Sequence, residues 1–328
     1  MSRLPTLLRN LACAAALCTS AIGPGTAHAA FPEQPIRLIV AYAAGGGTDI
    51  VARLLAQYVQ KQLGSKASIV VLNRPGAGGA IGFTELRTAA PDGYTIGFIN
   101  TPNVLSIPIE RKSNFHWQDF DLLGNIVDDP GNFSVHADTP IRSLAELVAY
   151  AKANPGKVTY GTTGIGSDDH LAAMAFERAT GIQMTHVPFK GAAEVHNAIA
   201  GKQILMAAIN IGEAMQYQKG GTPLRHLGTM SEKRTALAPH VPTFKEQGFN
   251  VIMASLRGVA APKNLPPAVR EQLANAVQKA VSDPEFQAKA AGYFAPLRFL
   301  APAAYADELR QDEAELRQLW QAAPWTDK

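Results

Sequence analysis

The sequence predicts an α/β protein of two lobes, each a mainly parallel sheet flanked by helices, with a cleft between them. Three observations carry this. Strand-like and helix-like patterns alternate along almost the whole chain, three glycine-rich loops each lead from a strand into a helix, and 328 residues exceed what one hydrophobic core comfortably serves. A hydrophobic share of 47% with 17% charged residues suits a packed globular chain rather than a disordered one.

The first element is a leader, not part of the fold. Arg3 and Arg9 are basic, Leu11 to Ile22 is apolar, and Ala27-His28-Ala29 has the small-x-small form of a secretory cleavage site. The apolar run is about a dozen residues, short of the roughly 20 that span a membrane. Residues 1–29 are therefore expected to be removed, leaving a chain that starts at Ala30 and resides in the periplasm. Cleavage also removes Cys13 and Cys18, so the exported chain has no thiol; Leu17 before Cys18 disfavours a lipid-modified cysteine.

Ile36 to Tyr42 reads as a buried strand, Gly45-Gly46-Gly47 as a turn, and Thr48 to Leu63 as a helix with Ile50, Leu54, Leu55 and Val59 on one face. Ser68 to Leu72 is the next strand, Ile81 to Ala89 the next helix and Tyr94 to Ile99 a third strand. Asp128-Asp129-Pro130-Gly131 reads as a turn where the chain leaves the first lobe. A second run of the same kind follows. Its strands are 133–136, 158–161, 184–187 and 204–209, its helices 143–153, 168–180 and 192–200, and strands near 224–229 and 251–259 come after. From Pro266 the pattern is helical (268–281, 284–291, 303–321) and is expected to return to the first lobe. The expected division is 30–129 with 256–328 for lobe 1 and 130–255 for lobe 2, with hinges at the two crossings.

The loops at 43–49, 76–82 and 161–170 are the candidates for chemistry. Glycine lets backbone N–H groups approach a guest, and a helix N-terminus favours an anion. Each charge-assisted hydrogen bond contributes about 1.5–3 kcal/mol, so a few would hold a small carboxylate. The plain alternative is that each loop is only a tight turn. Nucleotide binding is not supported, since Ile50 stands where a dinucleotide loop needs its third glycine and no phosphate-loop motif occurs. Ser167 is expected to cap the helix that begins at Asp168, in preference to serving as a nucleophile with His170. The eight histidines are dispersed, which argues against zinc, and no cofactor is expected. The formal charge of +3 comes with no basic stripe, which argues against nucleic acid. Trp117, Trp320 and Trp325 are read as packing residues, and the chain as a monomer.

Tyr42-Ala-Ala-Gly-Gly-Gly-Thr-Asp49, Asn73-Arg-Pro-Gly-Ala-Gly-Gly79, Pro91-Asp-Gly-Tyr-Thr95, Gly164-Ile-Gly-Ser-Asp-Asp-His170, His186-Val-Pro-Phe-Lys-Gly191 and Val241-Pro-Thr-Phe-Lys-Glu246 resemble, in order, the motifs of the Bug receptors. These are the extracytoplasmic solute-binding proteins of tripartite tricarboxylate transporters. The resemblance spans the mature chain and implies a type II-like periplasmic binding protein fold that closes on a small organic carboxylate, with membrane permease subunits or a sensor as partner. It points to Gly45, Gly46 and Asp49 in lobe 1 and to Gly164, Gly166, Ser167 and His170 in lobe 2. With Thr163, Phe189 and Asn210 these make the predicted ligand-binding set.

Departures from the family pattern bear on the ligand. Ala43 replaces a proline, Phe189 a frequent tyrosine, and Leu256-Arg257 a common aromatic pair. Asp168 and Asp169 are read first as complementing the dipole of the helix they begin while facing solvent. If one of them faces the proposed carboxylate site instead, it favours a monocarboxylate with a neutral or weakly basic second group, whereas Arg257 would favour a second anion if it reached the cleft. Two other functions stay open at this point: a periplasmic hydrolase built on Ser167 and His170, and a surface interaction protein with a vestigial cleft.

Overall fold

A computed structural model describes residues 31–326; the expected leader and its cleavage point lie outside them. The first elements are β1 (Ile36–Val40), α1 (Gly47–Leu63), β2 (Ile69–Asn73), α2 (Ala80–Thr88), β3 (Thr95–Asn100) and α3 (Asn103–Glu110). A long strand β4 (Phe120–His136) leads to α4 (Leu144–Ala153), β5 (Thr159–Thr162), α5 (Asp168–Thr180), β6 (Thr185–Pro188) and α6 (Ala192–Ala200). Next come β7 (Met206–Asn210), α7 (Ile211–Lys219) and β8 (Leu224–Thr229). The last elements are β9 (Ala254–Pro262), α8 (Pro267–Ser282), α9 (Pro284–Gly292), β10 (Leu297–Leu300) and α10 (Pro302–Ala322).

Two sheets share β4. Its first part, as far as Pro130, pairs with β9, and β10 joins its other edge, in a sheet that continues through β3 and β1 to β2. From Gly131 the same strand pairs with β7 and β8, in a sheet that continues through β5 to β6. The two-lobe α/β architecture is thus as expected, but the sheets are mixed. Strand pairs linked by a helical crossover, such as β1 with β3 and β5 with β6, are parallel, while every pair made by β4 or β9 is antiparallel.

Asp128 to Gly131 do not form the expected turn. They are extended backbone inside β4, Asp128 to Pro130 paired with Leu256, Ser255 and Ala254 and Gly131 with Asn210. Composition pointed to a turn, and tertiary pairing overrode it: Asp128 is held by Arg298 at 3.0 Å and Asp129 by Arg257 at 3.1 Å, so both carboxylates are anchored sideways. Gly131 is required by close packing, since a Cβ there would lie 2.6 Å from Met230 Sδ. The first half of β4 and the short elements α3, α7 and β10 were not anticipated. Pro108 lies inside α3, and α7 begins without a loop after β7.

Ser167 caps α5 as expected: its Oγ accepts the His170 backbone N–H at 3.2 Å. Gly181, with φ of 67°, ends that helix. Ile36, Leu55, Val259, Leu273, Tyr305 and Trp325 share one buried core, in which α8 packs against α1 and α10 against α3 and β4. Phe133, Tyr160, Phe176 and Phe244 belong to a second core behind the other sheet.

Candidate functional site

Parallel strands in an α/β sheet present their carboxyl ends to one edge, and ligand crevices form there. Four such ends meet in this molecule, Tyr42 after β1, Asn100 closing β3, Thr163 after β5 and Asn210 closing β7, and the N-terminus of α1 at Gly46 to Thr48 joins them. Together with Arg257 they line a cavity of about 20 Å³ between the lobes, room for about one water. The lobes are closed on it. Ala43 N–H donates to Lys190 O at 3.2 Å, Ser106 Oγ to Gly166 O at 2.7 Å, Gly47 N–H to Glu213 Oε1 at 2.9 Å, and Tyr217 OH to Gly45 O at 3.2 Å. Gly164 and Gly78 meet so closely that a Cβ on Gly164 would be 3.0 Å from Gly78 Cα.

The predicted residues divide into two groups. Gly46, Thr163 and Asn210 line the cavity. The others build its frame. Asp49 accepts from Gly45 N–H, Arg53 and Asn73, all within 3.0 Å. Burial pushes its carboxyl up, and those donors outweigh burial and hold it below the ordinary aspartate value. Gly164 N–H donates to Thr162 Oγ1, and Gly166 N–H to His170 Nδ1 at 3.1 Å. The His170 ring stacks on His186 at 4.2 Å. A Cβ on Gly166 would lie 2.9 Å from Ser106 Oγ and 3.3 Å from Trp325 Nε1, so this glycine serves packing between the lobes. Trp325 is therefore a packing residue at the lobe contact. Phe189 lies against Gly161 and the apolar cluster of Val195 and Ile204.

The floor of the cleft is charged. Arg257, 2% exposed, donates from Nη2 to Asp129 Oδ2 at 3.1 Å and Asn210 Oδ1 at 2.9 Å, and lies 3.4 Å from Glu213 Oε1. Asn210 Nδ2 in turn donates to Asp168 Oδ2 at 2.6 Å, and Thr163 Oγ1 to Asp169 Oδ2 at 3.2 Å. One guanidinium thus faces four buried carboxylates, and Asp168 and Asp169 are among them instead of facing solvent as expected. Burial raises Asp129 to about 7, with Arg257 opposing the rise and the Glu213 charge adding to it. Asp168 is pushed to about 6 by burial against the Asn210 and Arg257 contacts, and Asp169 well above the ordinary range by burial and by the Asp168 charge. Burial also works against the Arg257 cation, and the four acids outweigh it.

Arg257, singled out in the sequence only as a departure, reaches the cleft. Asp129 was read as part of a turn, and Glu213, Asn100 and Asn103 gave no motif. The available signal was positional: a polar residue at the carboxyl end of an apolar strand, as Asn100 after Ile96 to Ile99 and Asn210 after Met206 to Ile209. Among the described residues no group of three or more His, Asp or Glu side chains is arranged to hold a metal ion.

Two α/β lobes joined by crossing strands, closed over a buried polar cavity at the strand ends, define a solute-binding protein of the periplasmic type. Residues 51–295 match the tripartite tricarboxylate transporter family receptor, and the chain belongs to that family. It is 38% identical over 278 residues to the UPF0065 protein in the gbd 5′ region of Cupriavidus necator, covering 83% of this chain and 84% of that one. The structure of the periplasmic binding protein BugD superposes with a TM-score of 0.84 at 30% identity, covering 91% of this chain and 100% of that one. R. palustris Rpa4515 with adipate superposes with a TM-score of 0.83 at 26% identity, covering 89% and 97%. The protein is a solute-binding receptor.

Proposed function

We propose that this receptor captures a small organic carboxylate in the periplasm and hands it to the permease of a tripartite tricarboxylate-type transporter or presents it to a sensor. The observation that carries the reading is the cavity beside the N-terminus of α1, where the donors Asn103 Nδ2 and Arg257 Nε are buried without a partner. A carboxylate would accept from them and from backbone N–H groups at the helix start. The adipate bound to Rpa4515 is a carboxylate on the same fold. Gly46, Thr163 and Asn210 are assigned to the ligand wall, and Gly45, Asp49, Gly164, Gly166, Ser167, His170 and Phe189 to the frame that shapes it.

Lobe 1 (30–129 and 256–328) and lobe 2 (130–255) are taken to pivot about the paired crossings of β4 and β9, opening to admit the solute. Export by removal of residues 1–29 accords with the family and with the fact that no described helix is long and apolar enough to cross a membrane.

Binding without turnover is favoured over hydrolysis by the geometry of Ser167. Its Oγ is used by the helix cap, and His170 Nδ1 accepts a backbone N–H, so neither is set as a nucleophile–base pair. Calorimetry with a library of mono-, di- and tricarboxylates tests the reading. One binder per protein, recovered unchanged, is expected. Turnover of any member, or no binding across the library, would reject it.

A further inference from the structure

The cleft floor contains more than a carboxylate requires. Glu213 Oε2, which can only accept, and Arg257 Nε, which can only donate, are both buried without a partner. The two side chains form the partition between the 20 Å³ cavity and a smaller one of about 10 Å³ behind it. On the cleft side alone, Asn100 Oδ1 and Asn103 Nδ2 repeat the pattern: one acceptor and one donor, buried and unpartnered. A guest that satisfies this set needs an accepting end and a donating end.

Charge decides what the donating end is. Arg257 is already engaged by Asp129, Asn210 and Glu213, and four carboxylates surround that single cation. A dicarboxylate would add two negative charges to a buried site short of cations and would leave Glu213 Oε2 and Asn100 Oδ1 unpaired. An unpaired buried charge is among the costliest things a protein can hold.

We propose that the solute carries a cationic nitrogen in addition to its carboxylate, with the nitrogen donating toward Glu213 and Asp168 and the carboxylate accepting from Arg257 Nε and Asn103. The class is small amino-carboxylates, zwitterionic or net cationic. Dicarboxylates and tricarboxylates are disfavoured. This rests on the carboxylate-receptor reading and sharpens it. Nearby, Tyr42 and Asn103 are tied to each other, Tyr42 OH donating to Asn103 Oδ1 at 3.3 Å, so that the free Asn103 amide is held toward the cavity.

The test is calorimetry on the exported chain with matched series of two to four carbons: each monocarboxylate, its α- and ω-amino derivatives, and the dicarboxylate. An amino member is expected to bind at least tenfold tighter than the dicarboxylate of its series. Glu213→Gln keeps an acceptor for Gly47 N–H and removes the charge, so it is expected to weaken the amino member tenfold or more and the monocarboxylate less than threefold. Asp168→Asn is a second variant with the same expected asymmetry if the first does not fold. A dicarboxylate that binds as tightly as its amino partner, or equal losses for both ligand types in both variants, overturns the inference and leaves the receptor reading intact. No binding by any series overturns both.

Discussion

Replacing Arg257 with leucine tests whether the cleft floor is electrostatically balanced. The guanidinium has three anionic or polar partners within 3.4 Å and is all but inaccessible to water, so its removal strands Asp129 and Glu213 in the interior. Breaking a buried ion pair from one side costs about 3–5 kcal/mol. For a chain of this size 1 kcal/mol moves the melting midpoint by roughly 2 °C, so a fall of about 6–10 °C is expected near pH 8. At pH 5 the loss is expected to be smaller. Asp129 and Asp168, with values pushed to about 7 and about 6, are then mostly protonated and need the cation less. Adding Asp129→Asn to Arg257→Leu is expected to recover part of the loss at pH 8. Calorimetric melting of the unliganded variants at the two pH values is the assay. A midpoint within 2 °C of the parent at pH 8, or equal losses at both, would refute the account of the site.

Other expectations follow from the same structure. The unliganded parent is expected to melt higher at pH 5 than at pH 8, because the unfolded chain releases the Asp129 and Asp168 protons near pH 4 while the folded chain keeps them until about 6 to 7; stability from these groups is present below that window and lost as pH rises through it. A flat or rising midpoint would contradict this. Ser106→Ala removes the 2.7 Å bond to Gly166 O across the closed lobes, and at about 1 kcal/mol is expected to weaken ligand binding roughly fivefold through the closed state, as read by titration; unchanged affinity would show that the contact does not hold the lobes. Intact mass of the periplasmic protein is expected to place its first residue at Ala30, and retention of Cys13 or Cys18 would contradict cleavage.

Sequence patterns were most legible where the signal was local. The α5 helix and its Ser167 cap, the α6 helix and strand β8 coincide with their expected spans because period, cap and punctuation agree along a dozen residues. The pattern failed where partners distant in the chain decide conformation. Asp128-Asp129-Pro130-Gly131 has the composition of a turn, yet two arginines more than a hundred residues away, Arg257 and Arg298, hold it straight. The site divides in the same way. The glycine loops were visible as motifs, and most of their residues prove to shape the cavity without lining it. Glu213, Asn100 and Asp129 become site residues only when β3, β4 and α7 are brought together, so no spacing along the chain marks them.

The position of β9 has a consequence for assembly. It is the inner strand of the first sheet, lying between β3 and β4, although its residues, Ala254–Pro262, come after the whole of the second lobe. A chain emerging from its N-terminus has β3 and the first half of β4 ready long before the strand that joins them. Until then both offer unpaired edges, the kind of surface that recruits other chains. The second lobe needs nothing downstream of Met253 for its sheet, so it can mature while the first waits. Pairing across so great a separation is slow compared with local helix formation. The lobe that begins the chain is thus the one whose sheet cannot be completed until the whole of the other has been made.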